Sequence, residues 1–229
     1  KIEGVIIDAS ETNRQLKEIR ERDDIKAVVI RIDSPGGAVG PSQEIYAEIK
    51  RLKKTKKVVA SMGTIAASGG YYAAVAADRI VANPGTITGS IGVIVEFINA
   101  EELLSKLGLK GYTVKSGRFK DVGSPLRAME EDEKRLLQGV IDDINSQFIS
   151  AVAEGRSKTE AEVALIADGR IFSGAQARGL GLIDDLGDLT EAIDISARLA
   201  GIEEEPEVVY YEKESISIFG ALTGESVTR

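Results

Sequence analysis

Apolar and polar positions follow two different periods along the first half of the chain. Three runs rich in β-branched residues, 3–8 (EGVIID), 26–33 (KAVVIRID) and 56–62 (KKVVASM), have the length and composition of buried strands. The stretches between them, 11–23 and 41–53, have the spacing of amphipathic helices. Strands that alternate with helices predict βαβ units and a mostly parallel sheet covered on both faces.

The second half of the chain is predicted to be mainly helical. Two strand-like segments, 79–84 (RIVANP) and 88–97 (TGSIGVIVEF), come first. A long helix is expected over 129–154, because its apolar residues keep to one stripe and its first turn is acidic. The stripe consists of Leu136, Leu137, Val140, Ile141, Ile144, Phe148 and Val152. Shorter helical patterns follow at 159–167, 174–180 and 188–200.

Length and composition limit the number of domains. The chain has 229 residues, of which 43% are hydrophobic, which is enough for one large domain or two small ones. We expect a single α/β domain over 1–202. Residues 203–229 are acidic at first, contain a strand-like VVYY at 208–211 and end in a tail that is expected to be loose. No apolar run is long enough for a membrane helix. Because the chain begins without methionine on a strand pattern, we expect a trimmed or processed start, with any membrane anchor upstream.

Net charge and two absent residue types exclude several functions. A net charge of −8 argues against nucleic-acid binding and against attraction to anionic lipid, since both need clustered lysine and arginine. The chain has no cysteine, which excludes disulfides and thiolate metal sites, and no histidine, which removes the commonest zinc ligand. Metal catalysis would then have to rest on carboxylates alone. We expect neither a metal nor a cofactor.

Ser68 is the strongest candidate for chemistry. It lies in GTIAASGGYY (63–72), where an apolar run gives way to a helix, so the amides that follow and the helix dipole would stabilise an oxyanion. Gly69 and Gly70 permit a close approach of substrate. The alternative is an ordinary helix cap, a role that serine often fills.

A second glycine-bearing turn, SPGG at 34–37, follows the neighbouring predicted strand. Because the carboxyl ends of parallel strands share one edge of a sheet, the two turns are expected to be neighbours in space. Gly37 and Gly69 would then donate the two backbone N–H groups of an oxyanion hole. The alternative is a strand-exit turn in which Asp33 or Ser34 bonds its own backbone.

Without histidine, the proton acceptor for Ser68 has to be another group, and hydrolases that lack imidazole use a Ser-Lys pair. A lysine amine is an effective base only when its pKa falls far below about 10.4, which burial away from carboxylates achieves. Two lysines lie in a suitable stretch, YTVKSGRFKDVGSP. Lys115 is expected to end a strand and Lys120 to lie in a loop beside Asp121, and these arguments leave both lysines open.

Five segments together resemble the signal peptide peptidase A family in its half-length bacterial form. They are RIDSPGG (31–37), MGTIAASGGYYAAVAAD (62–78), TITGSIGVI (86–94), KSGRFKDVGSP (115–125) and DGRIFSGAQARGLGLIDDLG (168–187). The resemblance covers nearly the whole chain and implies an α/β domain with a Clp/crotonase-like fold. It also implies a serine endopeptidase that degrades remnant signal peptides with a Ser-Lys dyad.

The resemblance implies a role for each matching residue. Ser68 would be the nucleophile and Lys120, the second of the two lysines, the general base. Ser90 would help to hold that lysine, and Gly37 and Gly69 would be the oxyanion-hole donors. In half-length members the serine and the lysine come from adjacent protomers of a ring, so a homo-oligomer is expected. An anchor absent from this chain would place the catalytic domain on the extracytoplasmic side of the bacterial cytoplasmic membrane.

Two other functions are compatible with this fold. An acyl-thioester hydratase or isomerase would use Glu or Asp and bind coenzyme A, whereas a non-catalytic membrane-associated scaffold would turn over no substrate. The intact set of Ser68, Ser90 and Lys120 argues against the scaffold. Five apolar residues could line a substrate groove, but for each of them, taken by itself, we favour a place in the hydrophobic core. They are Ile65, Tyr71, Tyr72, Val93 and Ile94.

Overall fold

The computed structural model describes residues 1–211, and within them the chain forms seven strands of one sheet. They are β1 (Ile2–Glu3), β2 (Ala27–Ser34), β3 (Lys57–Ala67), β4 (Arg79–Ala82), β5 (Ile87–Gly89), β6 (Ile171–Ser173) and β7 (Asp185–Leu186). The strand order is β1-β2-β3-β4-β7, and β5 pairs with both β3 and β6. All pairs are parallel except β5 with β6. The predicted mostly parallel sheet is confirmed.

Eight helices accompany the sheet in the same part of the chain. They are α1 (Ser10–Glu21), α2 (Val39–Leu52), α3 (Gly69–Ala74), α4 (Glu101–Lys106), α5 (Glu131–Arg156), α6 (Glu160–Ala164), α7 (Gly174–Gly179) and α8 (Leu189–Leu199). All except α4 were predicted from the sequence, with ends that differ by a few residues. None of these helices is long and apolar enough to cross a membrane.

The central strand β3 is longer than its apolar run predicts. Residues 63–67, predicted as the start of a turn, continue the strand because β5 supplies a second partner, with Ile65–Ala67 in register with Ile87–Gly89. The first half of β3 pairs instead with β4, from Val59 to Met62. One strand therefore connects two parts of the sheet and carries the chain to Ser68.

Three predicted strands are shorter than expected or not formed. The run 3–8 contributes only the end of β1, since Gly4 turns the chain at a φ of 70°. The run 88–97 contributes only the end of β5, because Gly89 has a φ of 80° and the chain leaves the sheet there. Residues 208–211 form no strand, and the rest of the predicted tail lies outside the described residues.

The core lies on both faces of β2 and β3. On one face, Ile32, Val58 and Met62 are fully buried in a cluster that also contains residues of α2, α3 and the C-terminal half of α5. On the other face, Val59 packs with Ala192 and Ile195 of α8. The predicted stripe of α5 is only partly a core face. Phe148 and Val152 are buried, whereas the stripe residues of its first half, such as Val140 at 52% exposure, remain open to solvent.

Residues 93–130, which we call the arm, extend from this core. No residue of the arm is buried in the single chain. Its two ends are held together by the Ala100 N–H, which donates to Pro125 O at 2.8 Å, and by the Ala128 N–H, which donates to Glu101 Oε2 at 3.0 Å. Exposed apolar side chains run along it, namely Ile94, Val95, Phe97, Ile98, Leu103, Leu107, Leu109, Tyr112, Val114, Phe119 and Leu126. A segment that exposes so many apolar side chains is typical of an interaction surface.

Candidate active site

Ser68 occupies the sharp turn between β3 and α3. Its backbone has a φ of 51° and a ψ of −122°, a conformation that costs a residue with a side chain about 1–3 kcal/mol. The Ser68 N–H donates to Gly89 O at 2.9 Å, and the Tyr72 N–H donates to Ser68 O at 2.8 Å. Ser68 occupies the N-cap position of α3, as the helix-cap interpretation predicts, but its side chain accepts no N–H of the helix. A strained serine held at a strand-to-helix turn is typical of a nucleophile.

The SPGG turn lies directly against Ser68. A Cβ on Gly36 would stand 2.6 Å from Gly69 N and 2.8 Å from Ser68 Cβ, so only glycine allows this approach. Ser34 Oγ braces the turn by donating to Gly4 O at 2.6 Å and accepting the Gly36 N–H at 3.1 Å. The predicted neighbourhood of the two turns is confirmed, and the side chain of Ser34 also bonds the backbone as the strand-exit interpretation predicts.

Gly37 and Gly69 line one cavity together with Ser68. The cavity has a volume of about 100 Å³. Neither of the two glycine N–H groups donates a hydrogen bond to another of residues 1–211. Unpaired donors beside a hydroxyl group suit an oxyanion that develops during acyl transfer. Ser42 lies behind Gly69, where a Cβ on the glycine would stand 2.3 Å from Ser42 Oγ.

Apolar side chains form most of the remaining wall of the cavity. They are Val39, Tyr72, Val93, Ile94, Ile144 and Phe148. The rings of Tyr72 and Phe148 pack with their centroids 4.7 Å apart, and burial raises the pKa of the Tyr72 hydroxyl. The core interpretation is confirmed for Tyr71, which is fully buried, but it is wrong for Val93 and Ile94 because both line the cavity.

Ser90 comes directly after Gly89, whose carbonyl oxygen accepts the Ser68 N–H. It has a φ of 49°, and its N–H donates to Arg170 O at 2.8 Å. Ser68 and Ser90 are two of the three non-glycine residues with positive φ in the described part of the chain. Such strained positions cluster at functional sites. The structure therefore brings these two serines to the same end of the sheet as Gly37 and Gly69.

Lys120 lies in the arm and does not line the cavity. Its side chain is exposed, and its Nζ forms no hydrogen bond or ion pair with any of residues 1–211. Lys115 does not end a strand; its Nζ donates to Asp121 Oδ1 at 2.5 Å and to Arg118 O at 2.8 Å. Of the two candidate lysines, Lys120 is thus the one with a free amine. Within one chain the structure does not bring Lys120 into the cavity beside Ser68.

Two features of the site carry no signal in the sequence. Nothing in the sequence distinguishes Ser42 from any other helix serine, and only the fold places it behind Gly69. Arg127, which is near neither turn in the sequence, is likewise identified only by its ion pairs with Asp121 and Glu133. Residues 1–211 contain no cluster of three or more acidic side chains arranged to hold a metal ion.

Comparison with known proteins places the chain among peptidases. The model of Peptidase family S49 matches residues 50–203, and the model of Clp protease matches residues 7–85. The second match agrees with the mostly parallel sheet and its packed helices. The Clp/crotonase-like fold is thereby confirmed.

Three relatives illustrate the similarity. A Synechocystis sp. protein named "Putative protease" is 48% identical over 190 residues, which are 83% of this chain and 68% of that protein. "Putative signal peptide peptidase SppA" of Enterococcus faecium is 38% identical over 207 residues, 84% and 60% of the two chains. "Serine protease SPPA, chloroplastic" of Arabidopsis thaliana is 36% identical over 224 residues, 96% and 33%. The chain therefore spans between 33% and 68% of these relatives.

Proposed function

Because the chain belongs to peptidase family S49, which includes signal peptide peptidase A, we propose that it is a serine endopeptidase with Ser68 as nucleophile and Lys120 as general base. The observation that carries this proposal is the strained turn at Ser68 beside the unpaired N–H groups of Gly37 and Gly69. Membership of a peptidase family favours this reaction over the acyl-thioester hydratase that the fold alone would allow.

In the proposed reaction, Ser68 Oγ attacks the scissile carbonyl carbon while the neutral amine of Lys120 takes the hydroxyl proton. The carbonyl oxygen becomes an oxyanion that accepts hydrogen bonds from the N–H groups of Gly37 and Gly69. Lys120, held in place with the help of Ser90, gives the proton to the leaving amine as the C–N bond breaks. Water then attacks the acyl-enzyme, its proton passes through the same lysine, and the Ser68 hydroxyl is restored.

We propose that Lys120 serves the Ser68 of an adjacent protomer in a homo-oligomer. Two observations support this arrangement: Lys120 lies outside the cavity of its own chain, and the arm that carries it exposes many apolar side chains. A second copy packed against the arm would cover these side chains. It would also exclude water from the site, which favours the neutral form of a lysine.

We propose apolar peptide segments as substrates, with remnant signal peptides as the physiological class. The apolar wall of the cavity supports this, and its volume of about 100 Å³ favours a small apolar side chain next to the scissile bond. A relative bears the name signal peptide peptidase. Such peptides remain in the bacterial cytoplasmic membrane after secretion, so we propose action at its extracytoplasmic side.

A complementation experiment tests the dyad and its position between protomers. Ser68→Ala and Lys120→Ala are each expected to lower kcat/KM for a fluorogenic apolar peptide by about 10³-fold or more. Lys106→Ala, a substitution of another exposed lysine of the arm, is the matched control and should leave turnover unchanged. Co-expression of the two inactive chains with different tags, followed by purification on both tags, should restore a measurable fraction of activity.

Each part of the proposal has its own contrary result. Wild-type turnover in Lys120→Ala would rule out the lysine as the base. Mixed oligomers that contain both inactive chains but remain inactive would rule out sites shared between protomers. Mass spectrometry after treatment with a fluorophosphonate should find the adduct on Ser68, and an adduct on another serine would remove Ser68 as nucleophile.

A further inference from the structure

The loop that carries Lys120 contains a cluster of charged groups to which the proposed reaction assigns no role. Arg127 binds Asp121 through two hydrogen bonds: Nε donates to Oδ2 at 3.0 Å and Nη2 donates to Oδ1 at 2.8 Å. The same guanidinium donates from Nη1 to Glu133 Oε2 at 2.8 Å and also contacts Glu133 Oε1. One arginine therefore joins two carboxylates, one on each side.

Glu133 attaches this cluster to α5. Its side chain is only 3% exposed, and its Oε2 accepts the Glu130 N–H at 2.8 Å in the first turn of the helix. Arg127 and then the Glu130 N–H lower the pKa of Glu133 to about 2, so the carboxylate is charged at neutral pH. Arg127 is thus held by a rigid helix rather than by the arm alone.

The Asp121 carboxylate is fully engaged by this arrangement. Hydrogen bonds from Arg127 and then from Lys115 hold the pKa of Asp121 well below its usual range. Lys115 Nζ contacts only Oδ1, so among residues 1–211 the one side chain that binds Oδ2 is Arg127. The charged groups that face Asp121 are these two cations and, across the guanidinium, Glu133.

The contact between Arg127 and Asp121 matters because Asp121 is the residue directly after Lys120. A carboxylate within about 4–6 Å of a lysine favours the charged ammonium, which cannot act as a base. In the structure both oxygens of Asp121 have other partners, and Lys120 Nζ has none among the described residues. We propose that Arg127 is a positioning residue that holds the Asp121 carboxylate away from Lys120, so that the lysine enters the site without a counterion. This inference rests on the proposed role of Lys120 as general base.

The pH dependence of kcat/KM tests the inference on the whole oligomeric protein. Arg127→Gln frees Asp121 Oδ2 to approach Lys120, so the acid limb of the profile should move up by about one pH unit, which lowers kcat/KM about tenfold at a pH on that limb. In the double variant Arg127→Gln/Asp121→Asn, the acid limb should return to its wild-type position. Arg118→Gln is the matched control, since Arg118 pairs with Glu130 and Asp132 but not with Asp121.

A purely structural role of Arg127 would give a different result. Activity that falls equally at every pH in Arg127→Gln, with the acid limb unmoved, would overturn the inference. If Arg127→Gln does not assemble, the double variant Lys115→Gln/Asp121→Asn decides, because it removes one positive and one negative charge together and leaves Arg127 paired with Glu133. Since the Asp121 carboxylate is already occupied in the native protein, the acid limb of this variant should stay within about 0.3 pH unit of wild type. A downward shift of half a unit or more would show that Asp121 acts on the lysine in the native protein. A fully active Lys120→Ala would instead refute the proposed function itself.

Discussion

Replacing Gly36 by alanine would place a methyl group in a space that the active-site turns already fill. The new Cβ would stand 2.6 Å from Gly69 N, 2.8 Å from Ser68 Cβ and 2.9 Å from Ala67 O. Gly36 also has a φ of 95°, a backbone conformation that residues with a Cβ rarely adopt. Neither conflict can be relieved without moving the SPGG turn away from Ser68.

The two conflicts set the expected loss of stability. The backbone conformation costs an alanine about 1–2 kcal/mol, and overpacking a filled site costs about 1–3 kcal/mol more. The stiffer unfolded chain offsets about 0.4–1 kcal/mol of this. We expect the free energy of unfolding to fall by about 2–4 kcal/mol, or Tm by about 4–16 °C in a domain of this size. A displacement of Ser68 by about 1 Å should also slow acylation about 10²-fold.

Urea unfolding followed by circular dichroism measures the first effect, and the second-order rate of Ser68 labelling by a fluorophosphonate measures the second. Gly40→Ala is the matched control, because Gly40 is exposed in α2 and an added Cβ would meet nothing within 4 Å. That variant should be more stable than wild type by about 0.5–1 kcal/mol. Wild-type stability and labelling in Gly36→Ala would refute the close packing of the two turns.

Two further substitutions test buried polar contacts in the fold that supports the site. Asp184→Asn breaks a bidentate ion pair with Arg156, whose side chain is 8% exposed, and should lower the free energy of unfolding by about 2–3 kcal/mol at pH 7 in urea denaturation. Burial alone would raise the pKa of Asp184, but Arg156 outweighs it and holds that pKa below its ordinary value. The contribution of the pair is therefore present above about pH 4 and lost as the pH falls through the folded-state pKa, so wild type and variant should converge in acid. A difference that persists unchanged at pH 2 would contradict this assignment. Tyr71→Phe removes the donor to the buried Leu182 carbonyl, at 2.7 Å, and should lower Tm by about 2–4 °C with no change in Ser68 labelling. Slower labelling would show that the hydroxyl has a role in the site as well.

The helices were predictable because their signal is local. An apolar stripe with a period of 3.6 is written within one segment, and α1, α2 and α5 lie where the stripes predict them. The ends of the strands were less predictable, since a strand continues only while it has a partner. β3 runs on to Ala67 because β5 pairs with it from a distant part of the chain.

The amino-acid sequence by itself determined the α/β class, the absence of imidazole and thiol chemistry, and the two glycine turns that carry Ser68 and Gly37. These properties depend on residue type and on spacing within short segments. Only the tertiary structure decided the left-handed backbone of Ser68, the position of Val93 and Ile94 in the cavity wall, and the engagement of Lys115. Each of these depends on atoms from segments far apart in the chain or on the exact path of the arm, and the pattern of a single segment contains no information about such contacts.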